Sequence, residues 1–161
     1  MIDQIHSALA AEFALPSAYD MTVMISRLLT ALVLGAVLGL ERESKGRAAG
    51  LKTHMLVSVG SALFVLAPLQ MGVDPADVTR VMQGIVSGIG FLGAGAIIRT
   101  DKGEHVEGLT TAAGIWMTSA IGMAAGMGRE MAALITTVLA LLVFLLIPLL
   151  ARNGKHEDDN R

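Results

Sequence analysis

Ser87-Gly88-Ile89-Gly90-Phe91-Leu92-Gly93-Ala94-Gly95-Ala96-Ile97-Ile98 is apolar enough to lie in a membrane, yet it is dense in glycine, with Gly84 one turn before it. In water each glycine costs a helix about 1 kcal/mol relative to alanine. In lipid, bringing helices together has no hydrophobic gain, and small residues that let backbones approach drive association instead. Gly84 and Gly88 are four apart, as are Gly90 and Ala94, and the two pairs fall on different sides of one helix. The expectation is a central helix packed on more than one face through Gly84, Gly88, Gly90, Gly93 and Gly95.

The rest of the chain has the same character: 53% of its 161 residues are hydrophobic, 16% are charged and mean hydropathy is +0.64. That composition excludes an ordinary soluble domain and implies a polytopic, all-α membrane bundle. There is no cysteine, hence no disulfide framework, thiolate metal site or thiol nucleophile. The first twenty residues hold no Lys or Arg, unlike the basic start of a secretory signal.

In chain order, residues 1–20 form an N-terminal periplasmic segment in which Ile2, Ile5, Leu9 and Phe13 recur at helical spacing up to Pro16. A short helix on the membrane surface and a frayed terminus both fit it. Ser17 or Asp20 can cap the first span. Residues 21–150 are expected to make five transmembrane helices, at about 21–40, 51–70, 81–98, 109–127 and 131–150. The first and third are followed by charged loops, 41–50 and 99–108, and the fourth and fifth are joined by a tight hairpin at Gly128-Arg129-Glu130. Residues 151–161 read as a disordered cytoplasmic tail. Lys and Arg concentrate in the two charged loops and the tail, which puts the N-terminus outside and the C-terminus in the cytoplasm. A faint repeat relates Arg27 through Thr53 to Arg80 through Thr111, as two parallel hairpins.

Arg27 lies about six residues inside the first span, where an unpaired arginine is costly. It either snorkels to the outer surface or stands as a fixed charge in the bundle, satisfied by Gln83 or Gln70. His54, Ser58 and Ser61 form a polar stripe on the second span, Gln83 and Ser87 on the third, and Thr111 and Thr118 on the fourth. Such stripes bond their own backbone or face one another. Trp116 near mid-span suits packing between helices, with its N–H bonded to a neighbour. Carboxylates that could hold magnesium are Glu41, Glu43, Asp101, Glu104 and Glu107, set against the plainer reading of a solvated, mutually paired surface.

None of the five expected spans contains Asp or Glu, which disfavours a divalent-cation path or a proton relay. Gly84-Ile85-Val86-Ser87-Gly88 misses an intramembrane serine-protease motif by one residue, and neither a Walker loop nor zinc spacing occurs. No enzymatic activity, cofactor or nucleic-acid partner is expected.

Five pieces in order carry a family resemblance: Arg27-Leu28-Leu29, Gly39-Leu40-Glu41-Arg42-Glu43, Gly50-Leu51-Lys52-Thr53-His54, Ser87 to Gly95, and Gly108-Leu109-Thr110-Thr111-Ala112-Ala113 with Trp116. Together, over residues 27 to about 126, they resemble the MgtC/SapB family of bacterial inner-membrane proteins. The resemblance implies a multi-pass protein linked to magnesium homeostasis at low magnesium and, in pathogens, to virulence-related survival inside macrophages. It favours a structural or partner-facing role for Glu41, Arg42 and Glu43. It points to a short form, because longer members continue after the fifth span into a cytoplasmic domain. The expected function is non-enzymatic modulation of other inner-membrane proteins by helix–helix binding in the lipid bilayer, with self-association as a further option. The alternative is a small-solute or ion transporter with its pathway between the two glycine-rich hairpins or within an oligomer.

Overall fold

A computed structural model describes the backbone of residues 1–99 and 106–158 and the side chains of 1–97 and 106–146. Six helices follow one another: α1 (Ile2–Glu12), α2 (Ala18–Ser44), α3 (Leu51–Gln70), α4 (Pro75–Gly95), α5 (Leu109–Gly126) and α6 (Glu130–Asp158). Between α4 and α5 the two-residue strands β1 (Ile98–Arg99) and β2 (Val106–Glu107) pair antiparallel, Ile98 opposite Glu107. Between their turns the described residues are otherwise helical, and among them α2 and α3 are long and apolar enough to cross a membrane.

Local chemistry explains the helix ends. Ser17 Oγ accepts from the Asp20 N–H at 3.1 Å and donates to the Asp20 carboxylate at 2.6 Å, supplying α2 with one of its missing N-terminal partners. At α4, Asp74 accepts from the Ala76 N–H at 2.7 Å and Pro75 takes the first turn, so the helix begins six residues before the expected third span. It also ends sooner, at Gly95, and Ile98 belongs to β1 rather than to a helix.

Two stretches expected outside helices are helical. Glu41, Arg42 and Glu43 continue α2 instead of opening a loop, since Glu and Arg are strong helix formers. The chain turns only at Gly46, whose φ of +64° suits glycine. α6 runs on to Asp158 through most of the expected tail, because an established helix gains one hydrogen bond per added residue. Residues 159–161 of that tail lie outside the described residues. At the other terminus α1 is a formed helix with no buried residue, leaving Ile2, Ile5, Leu9 and Phe13 exposed.

The centre of the bundle is α5, which packs on α2, α3, α4 and α6. The expectation of a central helix over 81–98 is therefore corrected: α4 buries Val78, Ile89 and Gly93 and packs chiefly on α5, more lightly on α3. α5 carries no charge and, apart from the exposed Leu109 and Trp116, is built of Gly, Ala, Ser, Thr, Ile and Met, so neighbours can close on it from several sides. The main core joins Leu38 of α2, Ala62 of α3, Ile121 and Ala125 of α5, and Ala133 and Phe144 of α6. Ile89 against Ile115, and Val78 against Val65 and Met123, fasten α4 to this core.

Candidate functional site

Close approach of α3 to its two main neighbours rests on glycine. A Cβ at Gly35 of α2 would lie 2.8 Å from both the His54 carbonyl oxygen and Ser58 Cβ, and one at Gly39 would lie 2.7 Å from Leu51 Cα and 3.1 Å from His54 Cβ. On the opposite side, a Cβ at Gly122 of α5 would collide with the Ser58 carbonyl and one at Gly126 with the Ala62 carbonyl. Ordinary carbon contacts are 3.5–4.0 Å, so no side chain fits at these four places without moving a backbone.

Where α2 ends and α3 begins, this packing brings charged groups together. Glu43 Oε2 accepts from the Leu51 N–H at 2.7 Å, capping the first turn of α3 with a carboxylate that also suits the positive end of the helix. A Cβ at Gly50 would sit 2.7 Å from that same oxygen, so a side chain there would press on the Glu43 carboxylate. The His54 ring donates from Nδ1 to the Gly50 carbonyl at 2.9 Å; a carbonyl only accepts, so Nδ1 carries a proton. Arg42 pairs through Nε with Glu41 Oε2, and its guanidinium lies 3.7 Å over the centre of the Phe144 ring of α6. Arg42 is 3% exposed. The solvated, mutually paired surface expected of this segment is corrected at Arg42, which is paired with Glu41 but buried, while Glu43, Lys45 and Arg47 are exposed: α2 presents Gly35, Gly39 and Arg42 on one face at helical spacing, and that face is turned inward.

Deeper in, a polar seam runs between α3 and α5. His54, Ser58 and Ser61 are buried on α3, and Thr111, Thr118 and Ser119 on α5. Ser61 and Ser119 share a hydrogen bond of 2.8 Å across the interface, whereas Thr118 donates to the Gly114 carbonyl of its own helix at 2.9 Å. Ser119 does not stand out in the sequence, because Thr118 beside it already completes the stripe. The signal was its position one turn after Ile115, on the face that carries Gly122 and Gly126.

Other expected residues lie apart. Arg27 is half-buried and donates from Nη1 to the Gly126 carbonyl at 3.1 Å, near the Gly128 turn that joins α5 to α6. Its partner is the negative end of α5, so neither Gln70 nor Gln83 satisfies it. Gln70 instead donates to the Asp20 carbonyl at 3.3 Å. Gln83 and Ser87 are exposed on α4, as is Thr110 at the start of α5. Trp116 is 48% exposed and faces outward, correcting the expected position between helices. Among the candidate metal ligands, Glu41 is engaged by Arg42, Glu43 by α3, and Glu107 is exposed in β2. Asp101 and Glu104 lie outside the described residues, among which no group of three His, Asp or Glu is placed to hold a metal.

The glycines that dominate the sequence open onto nothing. A Cβ at Gly84, Gly88, Gly90 or Gly95 would meet no atom within 4 Å among the described residues, and Gly93 alone faces a neighbour, Ala112 of α5 at 3.5 Å. Gly84 and Gly88 line a groove of about 600 Å³ between α3 and α4, whose walls are Leu56, Gly60, Phe64, Val81, Ile85 and Leu92.

Comparison with known proteins accounts for the order of these pieces. The chain is 46% identical over 127 residues to Protein SrpB of Synechococcus elongatus, covering 72% of this chain and 70% of that protein. It is 44% identical over 123 residues to Protein MgtC of Salmonella typhimurium, covering 76% of this chain and 52% of the relative. YhiD of Escherichia coli K12, which carries the name of a candidate magnesium transporter, is 40% identical over 129 residues, covering 74% and 58%. The chain thus spans little more than half the length of these last two relatives. No solved structure matches it. A family model described as the MgtC family matches residues 28–153, from the third turn of α2 into α6, and the chain belongs to the MgtC family.

Proposed function

We propose that this protein is a non-enzymatic, multi-pass component of the bacterial inner membrane that binds a helix of another membrane protein along α4 and the α3–α4 groove. The observation that carries this reading is the unfilled glycine face. Gly84, Gly88 and the wall residue Gly60 leave backbone accessible where lipid-facing helices ordinarily present large side chains, and close backbone approach is how helices associate in lipid. Exposed Gln83 and Ser87 on the same helix add hydrogen-bonding groups that hydrocarbon leaves unsatisfied.

In this reading α2 to α6 cross the membrane five times, with the N-terminus outside. The basic residues clustered around the α2–α3 turn favour that end as cytoplasmic. Contacts between the start of α2 and the ends of α3 and α5, through Asp20–Gln70 and Arg27–Gly126, suit a single outer layer. A link to magnesium is suggested by the name that YhiD carries and operates here through the bound partner.

Transport is the second reading, favoured by the polar seam between α3 and α5 and by the name that YhiD carries. Against it, the backbones of α3 and α5 touch at Ser58–Gly122 and Ala62–Gly126, leaving no passage along the seam.

Photocrosslinking in native membranes separates the two. A photoreactive residue in place of Phe64 or Leu92, large exposed side chains on the groove wall, should give discrete protein adducts, while one at Leu139, exposed on α6, should give lipid adducts alone. Equal labelling at all three sites, or saturable Mg²⁺ flux into liposomes by the purified chain, would reject the binding reading.

A further inference from the structure

Every residue from Met1 to Asp20 is exposed, and α1 buries nothing against the bundle. An eleven-residue helix without tertiary packing is marginal in water, so the surface that stabilises α1 comes from outside the bundle. One face of the helix calls for such a surface. Ile2, Ile5, Leu9 and Phe13 fall within about 80° of one another around the helix axis. Asp3, Gln4 and Ser7 take the opposite side, with His6 and Glu12 at the borders.

The chain that follows identifies the surface. Only residues 13–17 separate α1 from α2, a reach of at most about 18 Å when fully extended. α2 is long and apolar enough to cross a membrane, and its exposed Ile25, Leu29 and Val33 are the side chains that lipid would meet. Tyr19, 76% exposed in its first turn, is of a type enriched where hydrocarbon meets water. Exposed Leu15 joins the apolar surfaces of the two helices. Pro16 disfavours helical geometry at Leu15, and residues 14–17 are in no helix, so α1 need not extend the axis of α2 into water.

We propose that α1 lies in the plane of the outer surface of the inner membrane, with Ile2, Ile5, Leu9 and Phe13 sunk into the lipid beside α2. The proposal rests on the reading that α2 crosses the membrane with its start at that surface, and it is independent of any partner at α4. A second protein helix fits the stripe less well. None of its four residues is small, so it lacks the close backbone approach by which helices associate in lipid. It is also far shorter than the three or so heptads that a coiled-coil seam takes. Residues 1–20 hold Asp3, Glu12 and Asp20 with no Lys or Arg, so burial of apolar side chains rather than attraction to acidic headgroups supplies the affinity.

The test uses the full chain, which has no cysteine, in nanodiscs of neutral phosphatidylcholine. Single spin labels are placed through Leu9→Cys, through Ser7→Cys and, as a lipid reference, through Leu29→Cys. Collisions with oxygen, which enters lipid, and with a water-soluble nickel chelate report depth. The Leu9 label should lie about 5–10 Å below the headgroups and the Ser7 label in water, with no change in concentrated salt. Adding Ile2→Ser, Ile5→Ser and Phe13→Ser should bring the Leu9 label into water at an unchanged melting temperature, because α1 adds nothing to the core. Leu9 and Ser7 labels equally open to nickel, a Leu9 label shielded from both reagents as under a protein surface, or one that stays in lipid in the triple variant would each overturn the proposal. A Leu29 label in water would overturn the membrane reading and the proposal together, whereas Leu9 in water with Leu29 in lipid overturns the proposal alone.

Discussion

The glycines of α5 and those of α4 look alike in sequence and behave oppositely in the fold. Gly122 and Gly126 stand against the carbonyls of Ser58 and Ala62, at separations that admit no side chain. Gly84, Gly88, Gly90 and Gly95 stand against nothing described. One set is what lets α3 and α5 close into a bundle. The other is surface, and in a chain this apolar a surface without side chains is one that admits another backbone. The contrast yields tests that differ in sign as well as in size.

The largest effect belongs to Gly122→Leu. Its Cβ alone falls against a backbone oxygen, and the rest of the side chain has no cavity to enter, so α3 and α5 must separate. Overpacking a core with single methylenes already costs about 1–3 kcal/mol. The expected outcome is no folded protein after purification, judged by gel filtration and circular dichroism in detergent. Gly88→Leu should purify like the unaltered chain. If both fail, the α4 glycines are filled within the fold and the contrast collapses.

Next in size is the charge buried between α2 and α6. Arg42→Met removes the partner of Glu41, whose side chain is 8% exposed, and an unpaired charge at such a site costs roughly 3–5 kcal/mol. At about 2–4 °C per kcal/mol the melting temperature should fall by on the order of 10 °C, read from the single tryptophan, Trp116. Adding Glu41→Gln should restore much of the loss, because two apolar or neutral groups leave no orphan charge. Arg27→Met provides the matching control at the other end of the bundle. Its partner is a backbone carbonyl at a helix terminus, so its loss should cost only about 1 kcal/mol. Equal losses for the two arginines would mean that the Glu41–Arg42 pair is solvated.

How far the sequence could be read depends on the quantity that hydropathy measures. It separates chain from water, and the ends of α3 and α5 were legible because charged or glycine-rich segments flank them. It does not separate lipid from protein, since both are apolar. The rank of α5 as the central helix was therefore hidden, its small residues being no more conspicuous than those of α4. Polar residues in apolar helices were visible as stripes, yet the stripes divide: His54, Ser58 and Ser61 face α5, while Gln83 and Ser87 face outward. Arg42 carried two readings, a solvated charge and a structural one, for a related reason. A charge beside other charges looks solvated, and only its spacing from Gly35 and Gly39 placed it on the inward face. Trp116 reversed in the same way, its mid-span position suggesting packing between helices that α5 achieves without it.

The smallest effect carries the sharpest sign. Gly88→Ala adds a methyl group where nothing lies within 4 Å, and alanine is favoured over glycine in a helix by up to about 1 kcal/mol. In detergent, away from any partner, the variant should melt at the same temperature or a few degrees higher. Gly122→Ala, the same chemical change, should melt lower, since its methyl group meets the Ser58 carbonyl. In native membranes the order inverts for association: Gly88→Ala should weaken crosslinking from a photoreactive residue at Phe64 on the groove wall, because the added methyl group holds a partner backbone off. A lower melting temperature for Gly88→Ala would mean that its face is already occupied in the purified protein. A higher one, with crosslinking intact, would mean that the face is exposed and unused. Only stability kept and association lost fits a surface shaped for a second backbone.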